Sequence, residues 1–152
     1  MTRSVIVAVA TAVLALASSR AHAATCVIDA VSPVTFVGYD VLSASPLDID
    51  GSVTYKCLVS LSITIDISAG GSHVVSQRQM ARTGGGTALN YNLFVDAART
   101  QVWGDGTGAT GHYGPVIGVL ADFTVPIYGR IPARQDVQSG SFTDTVVVTL
   151  NF

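Results

Sequence analysis

Hydrophobic and polar residues alternate along much of this chain with a period of two, and the alternation is cleanest over residues 143–152. There Val146, Val148, Leu150 and Phe152 fall on one face, while Thr145, Val147, Thr149 and Asn151 fall on the other. β-Branched and aromatic residues at every second position predict a half-buried strand. The same period predicts strands over residues 61–67, 89–95 and 123–130. Residues 52–57 place Val53, Tyr55 and Cys57 on one face, and residues 31–37 read as a short strand that Pro33 confines to an edge or a bulge. Residues 100–103 follow a turn at 96–99. Clusters of Gly, Pro, Asp and Ser separate these runs, notably residues 104–111 and Gly140. No stretch of ten residues carries a convincing helical period. Many short strands with turns between them predict one all-β sandwich domain, without internal repeats.

The final strand poses a question that the others do not. No residue follows Phe152 in the sequence, so no later strand is expected to cover its free side. A long apolar strand at an uncovered edge invites pairing with another chain.

The first residues are expected to be a leader rather than part of the fold. Arg3 precedes an apolar run over residues 4–17, and Ala21-His22-Ala23 supplies the small-x-small pattern of a signal peptidase site. The run is too short for a transmembrane helix. Cleavage after Ala23 leaves residues 24–152, about 129 residues, as an exported domain. That domain keeps six Lys and Arg against ten acidic residues, all Asp, for a net charge of about −4. A weakly acidic chain without a basic run excludes nucleic acid as a partner. Its two cysteines, Cys26 and Cys57, are expected to form one structural disulfide in an oxidising compartment. Neither their spacing nor a nearby histidine supports a metal site.

Candidate chemistry is sparse. His73 and His112 lie in Gly-rich stretches, and no nucleophile elbow accompanies them. Trp103-Gly104-Asp105-Gly106-Thr107-Gly108 resembles a cation or phosphate loop only superficially. The chain contains no Glu for a calcium loop and no Gly-Lys-Ser/Thr for a phosphate loop. It reads as a tight turn in which Asp105 bonds its own backbone. Tyr39, Tyr55, Tyr91, Tyr113 and Tyr128 are scattered in the manner of packing residues, with Tyr113 the best exposed candidate for a sugar contact. No cofactor, catalytic or metal site is expected.

Several segments together resemble the spore coat protein U family, which includes the subunits of archaic chaperone–usher pili. The most specific are residues 89–96 with Arg99, Thr100 and the stretch 103–108, and then Val125-Pro126-Ile127-Tyr128-Gly129-Arg130-Ile131-Pro132-Ala133 with Gln135, Gly140, Asp144 and the chain through Phe152. Cys26, residues 36–40, Cys57 and Arg78 add weaker support. The resemblance implies an incomplete immunoglobulin-like β-sandwich that lacks its last strand. Its implied partners are a periplasmic pilus chaperone, an outer-membrane usher and neighbouring pilus subunits, each engaged by strand addition. The groove edge would be formed by Val146, Val148, Leu150 and Phe152, and the subunit would pass through the periplasm to a surface pilus or coat.

One feature departs from that pattern. With cleavage after Ala23, only Ala24 and Thr25 precede Cys26. Two residues reach about 7 Å, far short of the ~17–20 Å of an ordinary strand. The expectation is therefore a subunit that accepts a strand but hardly donates one, suited to a tip, a cap or a non-polymerising coat. A tip adhesin contacting sugars or surfaces through its loops is an alternative. An exported enzyme is another, and it would need a pocket with converging Asp, Ser and His side chains.

Overall fold

The computed structural model describes residues 26–118 and 120–152. The expected leader, residues 1–23, and the stub Ala24-Thr25 lie outside the described residues. Among the described residues nine strands form: β1 (Cys26–Ser32), β2 (Leu47–Cys57), β3 (Ser62–Ile67), β4 (Arg78–Arg82), β5 (Leu89–Phe94), β6 (Tyr113–Ile117), β7 (Phe123–Ile131), β8 (Phe142–Thr143) and β9 (Val148–Asn151). One sheet has the order β1-β2-β7-β5-β4-β8, and the other has β6-β3-β9. Every named strand pair is antiparallel. The all-β reading of the sequence is therefore met.

Alternation places the core between the sheets. Val53, Tyr55, Cys57, Val125, Ile127, Leu89, Tyr91 and Leu93 are buried on the larger sheet, facing Ile63, Ile65 and Ile67 of β3. Side chains one residue on point to the other face, as period two requires. On that outer face Arg130 grips Asp48 with two bonds of 2.7 and 2.8 Å, and Arg99 reaches Asp50 at 2.6 Å, tying β7 and the 96–99 turn to β2.

Several elements differ from the sequence reading. The first strand runs from Cys26 to Ser32 and stops before Pro33, instead of spanning residues 31–37. Its own alternation pairs with β2, and proline has no N–H with which to extend the ladder. Strands β4 and β6 were not expected at all. β4 turns Arg78 and Met80 inward, so its buried face carries a charge, and β6 contains Gly114-Pro115, which reads as a turn. The final strand is divided. Phe142 and Thr143 pair with β4 of the larger sheet, and Val148 to Asn151 pair with β3 of the smaller one. Between them the chain crosses from one sheet to the other.

The Cys26–Cys57 disulfide is present, and it links directly opposed residues of β1 and β2. Both cysteines are buried, and Gly118 is packed so closely on the Cys57 sulfur that a Cβ there would sit 2.5 Å from it. Closing a loop of 31 residues of separation stabilises the fold by about 3–4 kcal/mol through the unfolded state. The double variant Cys26→Ser/Cys57→Ser is expected to lose that amount in urea denaturation. A loss below about 1 kcal/mol would contradict the assignment.

Candidate functional site

The two sheets do not close against each other on the side where β1 and β9 approach. Between them lies a groove of about 410 Å³. One wall is Val31 and residues 33–36, and the opposite wall is residues 142–146 with Val148. The floor consists of core side chains, namely Ile67, Met80, Tyr91, Leu93 and Ile127. Among the described residues, neither strand pairing nor a backbone hydrogen bond joins one wall to the other.

Local chemistry holds the second wall in place. Asp144 sits where the chain crosses between the sheets. Its Oδ2 accepts a 2.8 Å bond from the Tyr91 hydroxyl, and its Oδ1 accepts bonds from the backbone N–H groups of Gly71 and Thr145 at 2.9 and 2.8 Å. Gly70 packs so closely on this carboxylate, at φ +68°, that a Cβ would collide with it. Burial, together with the bond to Asp144, pushes the Tyr91 hydroxyl well above its ordinary pKa. The same wall continues through the Val147 N–H, which donates to Ser68 Oγ, and the Ser68 N–H, which donates to the Val147 carbonyl.

Beneath Asp144 lies Arg78, the one charged residue buried among the described residues, at 0% exposure. Its Nη2 donates to the carbonyls of Ile67, Ser68 and Trp103 at 2.9, 2.7 and 2.7 Å. Its Nε donates to Ser68 at 2.9 Å, and Nη1 donates to Asn92 Oδ1 at 2.7 Å. Burial lowers its pKa to about 10, while Tyr91 and Asp144 favour the charged form. The guanidinium is thus still protonated at neutral pH. Trp103 completes this layer, fully buried, with its indole N–H donating to the Ile65 carbonyl at 2.7 Å.

The residues singled out in the final strand occupy different positions. Val146 and Val148 line the groove. Leu150 packs against the core from β9. Phe152 follows β9 and is 59% exposed. Of the floor residues, Tyr91 was read from the sequence as a packing residue, while Met80 and the first wall were not singled out. The sequence carried a signal for one of them only, the Pro33 break that ends β1 and releases residues 33–36 from the ladder.

The free edges of the two sheets are unequal. On β1 the register shifts between Ile28 and Ala30, leaving Asp29 as a charged bulge. β6 carries Pro115, and β8 has only two residues. Bulges, charges, prolines and brevity all discourage edge pairing. β9 has none of these except modest length, since its sequence is Val-Thr-Leu-Asn.

The other candidates resolve locally. Asp105 Oδ1 accepts bonds from the Thr107 N–H and hydroxyl at 2.9 and 2.7 Å, and the Thr107 hydroxyl bond is the main cause holding its carboxyl below the ordinary range. His73 caps a 3-10 turn at φ +60°. His112 Nδ1 lies 3.6 Å from Asp66 Oδ1, and no hydroxyl hydrogen-bonds to either histidine among the described residues. Tyr113 is half-buried against Tyr55 and Trp103, with ring centroids 6.4 and 6.3 Å away, and is less exposed than the sequence implied. No group of three or more potential metal ligands occurs among the described residues.

Known proteins share this architecture. A chain in the crystal structure of the CsuC–CsuE chaperone–tip adhesion subunit pre-assembly complex, from the archaic chaperone–usher Csu pili of Acinetobacter baumannii, aligns with a TM-score of 0.59 at 22% identity. The alignment covers 84% of this chain and 39% of that one. The likeness shows an immunoglobulin-like β-sandwich fold. The Escherichia coli Hda pilus minor tip subunit HdaB is a looser likeness, with a TM-score of 0.40 and 15% identity over 81% of this chain and 78% of that one. In sequence, Protein U of Myxococcus xanthus is 30% identical over 116 residues, which are 76% of this chain. The chain spans 63% of that relative's length. Residues 10–149 match the Spore Coat Protein U domain, and the chain therefore belongs to the spore coat protein U domain family.

Proposed function

We propose that this protein is an exported structural subunit of a chaperone–usher surface pilus or coat that accepts a donor β-strand in the groove beside β9. The observation that carries this reading is the open apolar slot whose walls do not pair, bordered by the least protected sheet edge among the described residues. A strand laid there gains backbone bonds from β9 and places alternate side chains on the floor formed by Ile67, Leu93 and Ile127. Val146, Val148, Leu150 and Phe152 mark the receiving strand. A periplasmic chaperone, and later a neighbouring subunit delivered through an outer-membrane usher, are the partners of matching chemistry. Family membership supports a structural role rather than an enzymatic one.

A synthetic peptide of alternating Val, Ile and Thr should bind the isolated subunit one to one in calorimetry. Val148→Asp should abolish that binding while leaving the disulfide intact. Absence of binding to the native subunit would sink the proposal. The short stub expected between the leader and Cys26 further supports a tip, cap or coat role. N-terminal sequencing of the secreted protein together with a polymerisation assay tests this, since homopolymeric fibres would refute it.

One observation favours a second reading, adhesion through loops. Leu58 and Val59 of the β2–β3 loop, Ile117 at the end of β6, Leu120 before β7 and Phe123 at its start are all exposed, Leu120 at 67%. The pairs Ser62↔Ile117 and Tyr55↔Phe123 bring them to one end of the sandwich. Exposed apolar clusters of this kind mark contact sites. Replacing Leu58 and Leu120 by serine should reduce adsorption to polystyrene without changing the melting temperature. Unchanged adsorption would remove this reading.

A further inference from the structure

Where β5 exchanges one neighbour for another, the outer face of the larger sheet opens into a cavity. β4 pairs with β5 only as far as Arg78↔Tyr91. Beyond that point residues 101–103 take its place, through the Phe94↔Val102 bridge and the Trp103 N–H donating to the Leu93 carbonyl. Asn92 sits at the change-over, and over it lies a cavity of about 400 Å³, within the ~300–1,000 Å³ of small-ligand clefts. Asn90, Asn92 and Phe94 line it from β5, since Leu89, Tyr91 and Leu93 are that strand's buried positions. Ser76 and Gln77, in the turn before β4, border it on one side, and Arg130, opposite Asn92 on β7, borders it on the other.

Its polar groups are mostly donors. Asn92 Oδ1 accepts from Arg78 Nη1 at 2.7 Å and from the Leu93 N–H at 2.9 Å. Two donors on that oxygen fix the amide orientation and leave Nδ2 to the cavity. Asn90 is turned likewise, because Gln79 Nε2 donates to its Oδ1 at 2.9 Å. Arg130 gives Nε and Nη2 to Asp48, and its Nη1 takes no partner among the described residues. Charge runs the same way. Arg78 makes no ion pair among the described residues, and Asp144, which favours its charge, lines the groove on the inner side of the sheet. A chain with a net acidic balance thus presents a locally positive, donor-rich spot beside the half-buried Phe94 ring.

We infer that this cavity binds an acidic sugar, a uronic-acid residue of a polysaccharide. Its carboxylate accepts from Asn92 Nδ2 and Arg130 Nη1, its hydroxyls meet Asn90, Gln77 and Ser76, and the apolar face of its ring lies on Phe94. Donors spread around an aromatic ring suit a rigid ring carrying hydroxyls. An acidic peptide presents its carboxylates on flexible stems and has no hydroxyls to satisfy the remaining amides. The site is separate from the apolar loops at 58–59 and 117–123, because Phe123 and Arg130 stand near opposite ends of β7, about 23 Å apart along the strand.

Calorimetry of the disulfide-bonded subunit with trigalacturonate, its methyl ester and hexa-aspartate tests this. Trigalacturonate is expected to bind about tenfold tighter than the ester, since charge-assisted bonds replace neutral ones, and hexa-aspartate should bind no better than the ester. Asn92→Asp keeps the acceptor for Arg78 but puts a carboxylate where the donor was, and should cut trigalacturonate affinity by about tenfold or more. Gln77→Glu, at an exposed position, should weaken it about threefold with an unchanged melting temperature, so the test does not depend on how the first variant folds. No binding of trigalacturonate to the native subunit would overturn the inference, as would equal binding of the acid and its ester. Hexa-aspartate binding as tightly as trigalacturonate would overturn it in favour of an acidic peptide. Native affinity in Gln77→Glu and in a folded Asn92→Asp would place the sugar elsewhere and overturn it too.

Discussion

Fusing a flexible linker and an alternating apolar strand after Phe152 is expected to raise the melting temperature of the subunit by about 15 °C. Ile67, Leu93 and Ile127 line the groove but are themselves at most 4% exposed, so the gain comes mainly from the side chains that the added strand buries. Three inward Val, Ile or Leu side chains on the added strand would together remove apolar exposure worth about 5–9 kcal/mol. Backbone bonds to β9 add to this, and ordering the strand offsets part of it. A net gain near 4 kcal/mol corresponds to roughly 15 °C for a domain of this size. A control fusion with Asp at the inward positions should show no rise, because a carboxylate in the groove forfeits its hydration. Differential scanning calorimetry of the three proteins decides the matter. A native subunit that already melts high and does not respond to the strand would show that the sandwich is complete without one.

The second large effect is expected at Arg78. Replacement by methionine keeps most of the volume, so the loss reflects hydrogen bonding rather than a cavity. Three backbone carbonyls, those of Ile67, Ser68 and Trp103, receive bonds from this one side chain. Backbone groups cannot be substituted away, and each buried acceptor left alone costs about 1–3 kcal/mol. The expected loss of stability is about 3–5 kcal/mol, as for other broken buried polar clusters. Arg78→Lys should recover only part of it, since one ammonium cannot reproduce the fork that also reaches Asn92. The damage should extend to the groove, because Ser68 also holds Val147 on the second wall. Urea denaturation within 1 kcal/mol of the native protein for Arg78→Met would show that water replaces the guanidinium at no cost.

What could be read directly follows the alternation. Burial alternates along residues 142–150 as the sequence pattern requires, with Phe142, Val146, Val148 and Leu150 inward and Val147 and Thr149 outward. Ser62 to Ile67 and Leu89 to Phe94 behave in the same way. A strand with one buried face must repeat every two residues, so its existence and its inward face are written locally. The pairing of Cys26 with Cys57 was legible for a similar reason, since two cysteines in a chain expected to be exported allow one intramolecular bond.

Other features depended on the three-dimensional arrangement. The break between β8 and β9 leaves no mark, because the chain stays extended with unbroken period two while it changes sheets at Asp144. Arg78 gives β4 a charged inward residue, and hydropathy argues against burying it. It becomes a core residue only because residues 67, 68 and 103 bring their carbonyls to one point. The groove is a gap between residues 33–36 and 142–148, more than a hundred positions apart in sequence, and neither segment signals the other. Alternation and turn residues are properties of neighbours along the chain, so the sequence by itself determined the strands, their inward faces and the all-β class. Which edges meet, where the sheets part and which carbonyls converge are properties of distant segments, and only tertiary packing decided them.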